Sequence, residues 1–465
     1  MTRGGRLAPW TAVLILAVAG WWRFHDLGRW SLDGDEIYSW YDAQRILAGE
    51  EWPFGARSHP LVYLVMSLHV WLLGLSEWAL RLGPALLGFL AVPALLFLRR
   101  DVIPQRAALM AGALAALSPW LVFHAQNARF YGPQLLFSAL AILCVLPGPR
   151  RRAWAAGGAW IAAVLCHPTA LLLGPALAVS LLSRPARWRR LFGLAGVLAA
   201  ALFVVYLTDD GALEEVALRV LEKRDPGKYD PLHFVAGLGY NVGPLIGLLA
   251  ALALPKAFRE RDGAGWTLAA SAAAGPGVLL VLALAGLSMH QRYAMCSIPA
   301  AMLLAGRAWD ELMHRKPAIG LVLGGLALLA PAPMLLAYSR DGNRHDMHGV
   351  ASFLAEVGSP EDIFIVDEHV SVELYLHEEP GFADSGTVEE APLLPRKQRP
   401  FLSNRREVWV AVKASRLEAA YGAEFKQWLD DYFIEIRRIG RAPPPMVRHD
   451  NRYVILRRKE RLRSP

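Results

Sequence analysis

The stretch Ala318–Tyr338, AIGLVLGGLALLAPAPMLLAY, runs for 21 residues without an Asp, Glu, Lys, Arg or His. At 1.5 Å per residue it is long enough to cross a hydrocarbon core of about 30 Å. The chain beyond it is different in kind. From Arg340 to the end it carries 20 Lys/Arg against 21 Asp/Glu and has no cysteine. The run therefore marks a boundary between a membrane part, residues 1–338, and a soluble tail, residues 339–465.

Upstream of the boundary, Ala/Leu/Val-rich runs recur near Leu7–Phe24, Trp78–Leu98, Ala107–Phe123, Pro133–Leu146, Ala153–Cys166, Thr169–Leu182, Leu191–Leu207, Phe234–Leu254, Gly265–Leu287 and Ile298–Trp309. With Ala318–Tyr338 they predict about eleven crossings of a polytopic α-helical membrane protein. The run Pro60–Leu75, interrupted by Ser67 and His69, is shorter and reads as a juxtamembrane or re-entrant helix. Over all 465 residues, 54% are hydrophobic and only 19% charged, and the mean hydropathy is +0.29. Soluble domains usually hold about 25% charged residues, so an ordinary cytosolic enzyme and a disordered chain are both excluded. A membrane β-barrel is excluded as well, because its strands alternate in polarity.

The net charge of +8 lies wholly in the membrane part, which carries +9. It sits in short loops such as Arg150-Arg151-Arg152, Arg184–Arg190 and Lys256–Arg261. Basic short loops orient a membrane protein and do not by themselves indicate nucleic acid, for which no motif is present. They predict a cytoplasmic N-terminus in an inner (cell) membrane, an uncleaved first helix and, with an odd number of crossings, an extracytoplasmic tail. Cys144, Cys166 and Cys296 all lie in or beside apolar runs without CxxC spacing, which supports neither disulfides nor a thiolate metal site.

The tail reads as a small α/β domain. Helices are predicted over Met347–Val357 and Arg416–Tyr432, and strands over Asp362–Val366, Glu407–Val412 and Tyr453–Leu456. The Pro-, Gly- and charge-rich stretch Glu378–Pro400 reads as a loop.

In this topology the ionisable residues gather on the outer face. Asp33-Gly34-Asp35-Glu36 offers adjacent carboxylates for a general base or for hard-metal oxygen ligands. Alternatively Asp35 is a helix N-cap with Glu36 in the first turn. Gln126-Asn127-Ala128-Arg129-Phe130-Tyr131 comes after the break Ser118-Pro119. Its arginine suits a phosphate, or else anchors the interface beside Tyr131. His290-Gln291-Arg292-Tyr293 offers the same pair of readings. His345, Asp346 and His348 have metal-like spacing, but they open an amphipathic helix, which favours capping.

The order of these pieces resembles a known pattern: Asp35-Glu36 after the first helix, Ser58-His59-Pro60-Leu61-Val62-Tyr63, Ser76-Glu77-Trp78-Ala79-Leu80-Arg81-Leu82, Ser118-Pro119 with Asn127-Ala128-Arg129-Phe130-Tyr131, His167, then Arg292-Tyr293 and Pro299. It is similar to the GT-C membrane glycosyltransferases of the protein O-mannosyltransferase and aminoarabinose-transferase type, over about residues 7–338. The resemblance implies transfer of a sugar from a polyprenyl-phosphate-sugar donor to a lipid, glycan or protein acceptor on the outer membrane face. It implies Asp35, with Glu36 beside it, as the catalytic carboxylate. It implies His59, Arg81, Arg129, Tyr131, His167, Arg292 and Tyr293 around the donor. Asn127 stands two residues before Arg129, where the family often has an acid. A neutral amide is a poorer ligand for a divalent metal, so a metal-independent transferase is expected. The competing classes are a transporter or flippase for a lipid-linked or small polar substrate, which would place ionisable residues near the bilayer midplane, and a structural subunit.

Overall fold

The computed structural model describes residues 7–50, 59–148, 152–182, 231–259, 263–287, 289–341, 344–382, 388–390, 407–419, 422–440 and 452–459. The expected run Leu191–Leu207, the loop from Thr208 and most of the basic loops at 150–152 and 184–190 lie outside them. The chain divides into two compact units. One comprises Met1–Leu27 with Asp42–Leu335, and the other Gly28–Tyr41 with Leu336–Pro465.

The first unit is helical. Its elements are α1 (Leu7–Phe24), the end of α2 (Gly34–Leu47), α3 (Pro60–Leu73), α4 (Glu77–Phe97), α5 (Gln105–Leu117), α6 (Pro119–Ala125), α7 (Tyr131–Val145), α8 (Ala153–Cys166), a 3-10 turn (Pro168–Leu173), α9 (Gly174–Leu182), α10 (Pro231–Val242), α11 (Pro244–Arg259), α12 (Ala264–Leu284), a second 3-10 turn (Gln291–Ser297), α13 (Ile298–Arg315), α14 (Pro317–Leu329) and the start of α15 (Ala332–Asp341). Among the described residues, three helical stretches are long and apolar enough to cross a bilayer: α4, α12 and Pro317–Arg340. Two bent pairs raise this to five, α5–α6 at 62° and α10–α11 at 99°. Length and composition thus support three to five crossings among the described residues against the eleven expected, of which Leu191–Leu207 lies outside them; α7, α8 and Pro168–Ser180 are only 10–17 residues long. Both bends fall where a proline removes a backbone donor, at Ser118-Pro119 and Gly243-Pro244.

The first break is repaired from a distance. Pro119 has no N–H for the carbonyl of Ala115, four residues earlier. Arg23 of α1, fully buried, donates Nη2 to that oxygen at 2.9 Å and Nη1 to Ala19 O at 3.2 Å. Glycines set the closest helix crossings: a Cβ on Gly132 of α7 would overlap the Pro84 carbonyl oxygen of α4, and one on Gly306 of α13 would overlap that of Ala107 in α5.

The second unit holds a five-stranded sheet in the order β2-β1-β3-β5-β4, built from β1 (Ile363–Val366), β2 (Val388–Glu390), β3 (Val408–Lys413), β4 (Phe433–Ile439) and β5 (Tyr453–Arg458). β2, β1 and β3 run parallel, and β5 lies antiparallel between β3 and β4. Strands β1 and β3 are buried on both faces, so they read as continuous apolar runs. Phe364, Val366 and Trp409 pack under α16 (Met347–Val357) and α17 (His369–Glu378). Ile363, Ile365 and Val410 pack under α19 (Gly422–Tyr432), which comes after the short α18 (Ala414–Ala419). The three expected strands are thus present within a residue or two. The described residues of the helix expected over Arg416–Tyr432 lie in α18 and α19, and α17, β2 and β4 are additions to the expected elements.

Candidate functional site

In the helical unit, chain breaks bring the sequence-selected aromatic residues together. His59 precedes Pro60, which starts α3; Phe130 precedes α7; His167 sits between α8 and Pro168; and Tyr293 lies in the second 3-10 turn. Their rings form a row. His59 stands 5.0 Å from Phe130 and 4.8 Å from His167, His167 stacks on Phe130 at 3.7 Å, and Tyr293 stacks on His167 at 5.8 Å. The Arg129 guanidinium lies 5.8 Å from the Phe130 ring centroid. Arg292 neighbours Tyr293 in the same turn. His59, Arg129, His167, Arg292 and Tyr293 are all half-buried, so the row keeps an open side.

The His167 ring is fixed by a relay. Gln134 Nε2 donates to Thr169 Oγ1 at 2.8 Å, and Thr169 Oγ1 stands 2.8 Å from His167 Nδ1. The Thr169 amide donates to the same nitrogen at 3.2 Å. Nδ1 is therefore an acceptor, which leaves Nε2 as the protonated nitrogen of the neutral ring. Sequence reasoning missed both Gln134 and Thr169. Thr169 falls two residues after His167 and directly after Pro168, a spacing at which a hydroxyl can reach back to the preceding side chain.

Two other donor-pocket candidates have different work. Arg81 is fully buried, and its Nη1 donates to Leu27 O at 3.1 Å. That bond ties α4 to the segment after α1. Tyr131, also buried, packs on Phe130 and on His124, each at 4.2 Å, and so backs the ring row from behind.

In the second unit, the acidic stretch forms a capping box. The Ile37 amide bonds the Asp33 carbonyl at 3.0 Å, which makes Asp33 the N-cap of α2. Asp33 Oδ1 accepts from the Glu36 amide at 2.9 Å, and Glu36 Oε2 accepts from the Asp33 amide at 3.2 Å. Asp35 is therefore not the N-cap, contrary to one reading of the sequence, but the second residue of the first turn. Glu36 is completely buried, and the same Oε2 accepts from Arg344 Nη1 at 3.0 Å. Glu36 is thus held by two donors, whereas Asp35, the other carboxylate of the pair, is half-buried. Burial, and the Glu36 charge beside it, push the Asp33 carboxyl up to about 6; Arg344 opposes the shift.

Asp346 caps α16 by accepting from the Gly349 amide at 2.9 Å, while His345 packs on Tyr453 and His348 on Tyr375. These three residues cap and pack rather than gather around an ion. Among the described residues, no three His, Cys, Asp or Glu side chains converge into a set that could hold a metal ion. Asn127 is buried.

A family model described as dolichyl-phosphate-mannose-protein mannosyltransferase matches residues 57–208, about a third of the chain. The matched span includes His59, Arg129 and His167. None of the curated protein sequences matches. Among solved structures, ArnT from Cupriavidus metallidurans bound to undecaprenyl phosphate superimposes with a TM-score of 0.57 at 16% identity, over 97% of this chain and 99% of that one. The apo form of the same enzyme gives the same score and identity over 97% and 98%. The Archaeoglobus fulgidus oligosaccharyltransferase, crystallised with Zn and sulfate, gives 0.53 at 14% identity over 91% and 71%. At such identities the likeness is one of fold, and it runs nearly from end to end.

Proposed function

We propose that this chain, which has the GT-C glycosyltransferase fold, moves a sugar from a polyprenyl phosphate to an acceptor at the outer face of a cell membrane. The observation that carries the reading is the half-open row of His59, Phe130, His167 and Tyr293 with the Arg129 guanidinium alongside. Flat rings pack against the apolar face of a sugar, and a guanidinium fork matches phosphate oxygens.

The chemistry divides among residue types. The acceptor oxygen attacks the anomeric carbon and forms the new C–O bond as the bond from that carbon to the phosphate oxygen breaks. The acceptor proton passes to a carboxylate, the role given to Asp35. The bonding electrons leave on the lipid phosphate, whose growing charge Arg129 and Arg292 stabilise. His167, held as an Nε2–H donor, adds a neutral hydrogen bond suited to a hydroxyl or phosphate oxygen.

The test is transfer by the purified protein in liposomes, with radiolabelled polyprenyl-phosphate sugars and an envelope extract as acceptor. Label appearing on an extract component, and lost with Arg129→Ala, supports the proposal. Label that crosses the bilayer still attached to its polyprenyl phosphate would instead identify a flippase.

A further inference from the structure

Residues 28–41 carry the acidic stretch yet group with the tail, more than three hundred residues away in sequence. Three ties hold them there, each from a different tail element. The Leu32 amide donates to Tyr375 Oη of α17 at 2.7 Å. The His348 amide of α16 donates to Ser31 Oγ at 3.1 Å. Arg344, just before α16, donates to Glu36 Oε2 at 3.0 Å, with the side chains of Glu36 and Arg344 only 0% and 4% exposed.

The last tie differs from the other two. Glu36 Oε2 is shared between Arg344 and the Asp33 amide, so the ion pair and the capping box are one network. The box fixes the first turn of α2, and Asp35 is on that turn. A buried pair resists displacement because losing one partner strands the other's charge.

We infer that Arg344 is a positioning residue: through Glu36 and the Asp33–Glu36 capping box it fixes the turn that presents Asp35, so the tail takes part in transfer by holding the carboxylate in place. This rests on the reading of Asp35 as the group that takes the acceptor proton. Without Arg344 the buried Glu36 charge is stranded, and as the carboxylate leaves its place for water the box opens. A misplacement of about 1 Å at a reacting group costs roughly a hundredfold in rate.

The experiment is a kinetic cycle on the full-length protein in liposomes, with membrane abundance and monodispersity checked for each variant. Arg344→Ala is expected to lower kcat about 10–100-fold while KM for the lipid donor stays within about twofold. Arg344→Lys, which keeps a cation for Glu36, is expected to restore most of the lost kcat. On an Asp35→Asn background, Arg344→Ala is expected to cost less than about twofold, because two residues acting through one group are not additive. If Arg344→Ala does not accumulate, Glu36→Ala removes the acceptor for both Arg344 and the Asp33 amide and is read on the same scale.

An Arg344→Ala protein with parental kcat, an equal proportional loss with and without Asp35, or a loss carried entirely by donor KM overturns the positioning role. Parental activity in Asp35→Asn alone overturns the role of Asp35 and, with it, this inference. A silent Arg344→Ala beside an inactive Asp35→Asn overturns the inference and leaves the proposed function standing.

Discussion

Replacing Asp35 by asparagine separates catalysis from architecture, because the structure bounds what the substitution can cost the fold. Asp35 is not the N-cap of α2, since Asp33 fills that position, so no cap is lost. The attraction between a first-turn carboxylate and the helix dipole is worth about 0.3–1 kcal/mol at a partly solvated site. Asparagine is nearly the same size and keeps the packing. The second unit should therefore unfold within a few degrees of the parent, given that about 1 kcal/mol moves Tm by roughly 2–4 °C in a domain of about 150 residues. Loss of a positioned general base, by contrast, lowers turnover about 10²–10⁴-fold, or roughly 3–5 kcal/mol of barrier at 1.36 kcal/mol per decade. The two effects differ several-fold in energy and appear in different assays: initial rates of labelled transfer at equal membrane abundance, and thermal unfolding in detergent. Equal rates for Asp35→Asn and parent would remove Asp35 from the reaction. A rate loss matched by a fall in stability of several kcal/mol would mean that the residue holds the fold.

Four further outcomes are expected. The Asp33 carboxyl is raised to about 6 in the folded protein against an ordinary 3.8, so the folded state binds the extra proton between those values. Stability conferred by this group falls as pH rises through that window, by up to about 3 kcal/mol above it; Asp33→Asn, which caps equally well, should raise Tm at pH 7.5 and flatten the pH dependence between about 4 and 6, and an unchanged profile would refute the assignment. Gly132→Ala and Gly306→Ala put a Cβ onto backbone carbonyl oxygens and should cost at least 1–3 kcal/mol, read as lost membrane abundance, whereas Gly157→Ala, with nothing within 4 Å, should be neutral or mildly stabilising. Transfer should survive chelation by EDTA because the donor set near Arg129 offers an amide where an acid would be needed; activity lost on chelation and restored by Mg²⁺ or Mn²⁺ would contradict this. Reporter fusions after Tyr338 should report an extracytoplasmic tail, and an active cytoplasmic reporter there would reverse the topology.

How much of this was legible depends on the range of the interaction. Long apolar runs gave α4, α12 and Pro317–Arg340 to within about three residues, and Ser118-Pro119 announced its own break, because these signals are local. The double-sided burial of β1 and β3 was also local, written as IFIV and VWVAV. The strand β4 was hidden because its residues face solvent along most of its length, so no apolar alternation marks it. Within Asp33-Gly34-Asp35-Glu36 the spacing Asp33-x-x-Glu36 was the capping-box signal, but the sequence reading placed the cap too late, on Asp35. The pairing of Glu36 with Arg344 spans 308 positions and leaves no local trace. The same is true of Arg81, whose burial could not be told from a pocket-facing arginine by spacing. The ring row was reached only because the order of motifs resembles a family; no periodicity connects His59 with His167 and Tyr293.

The contact between Arg23 and the Ala115 carbonyl has a consequence for how the protein can be made. A first apolar helix is often treated as an interchangeable targeting device, to be trimmed or exchanged for another signal anchor in expression work. Here that helix carries the donor for an oxygen that Pro119 strands inside the bundle. In hydrocarbon an unsatisfied carbonyl costs several kcal/mol, about the whole margin by which a typical domain stays folded. A substitute anchor of equal length and greasiness would deliver the chain to the membrane and leave the break between α5 and α6 open. It would need an arginine at the position of Arg23 to close it.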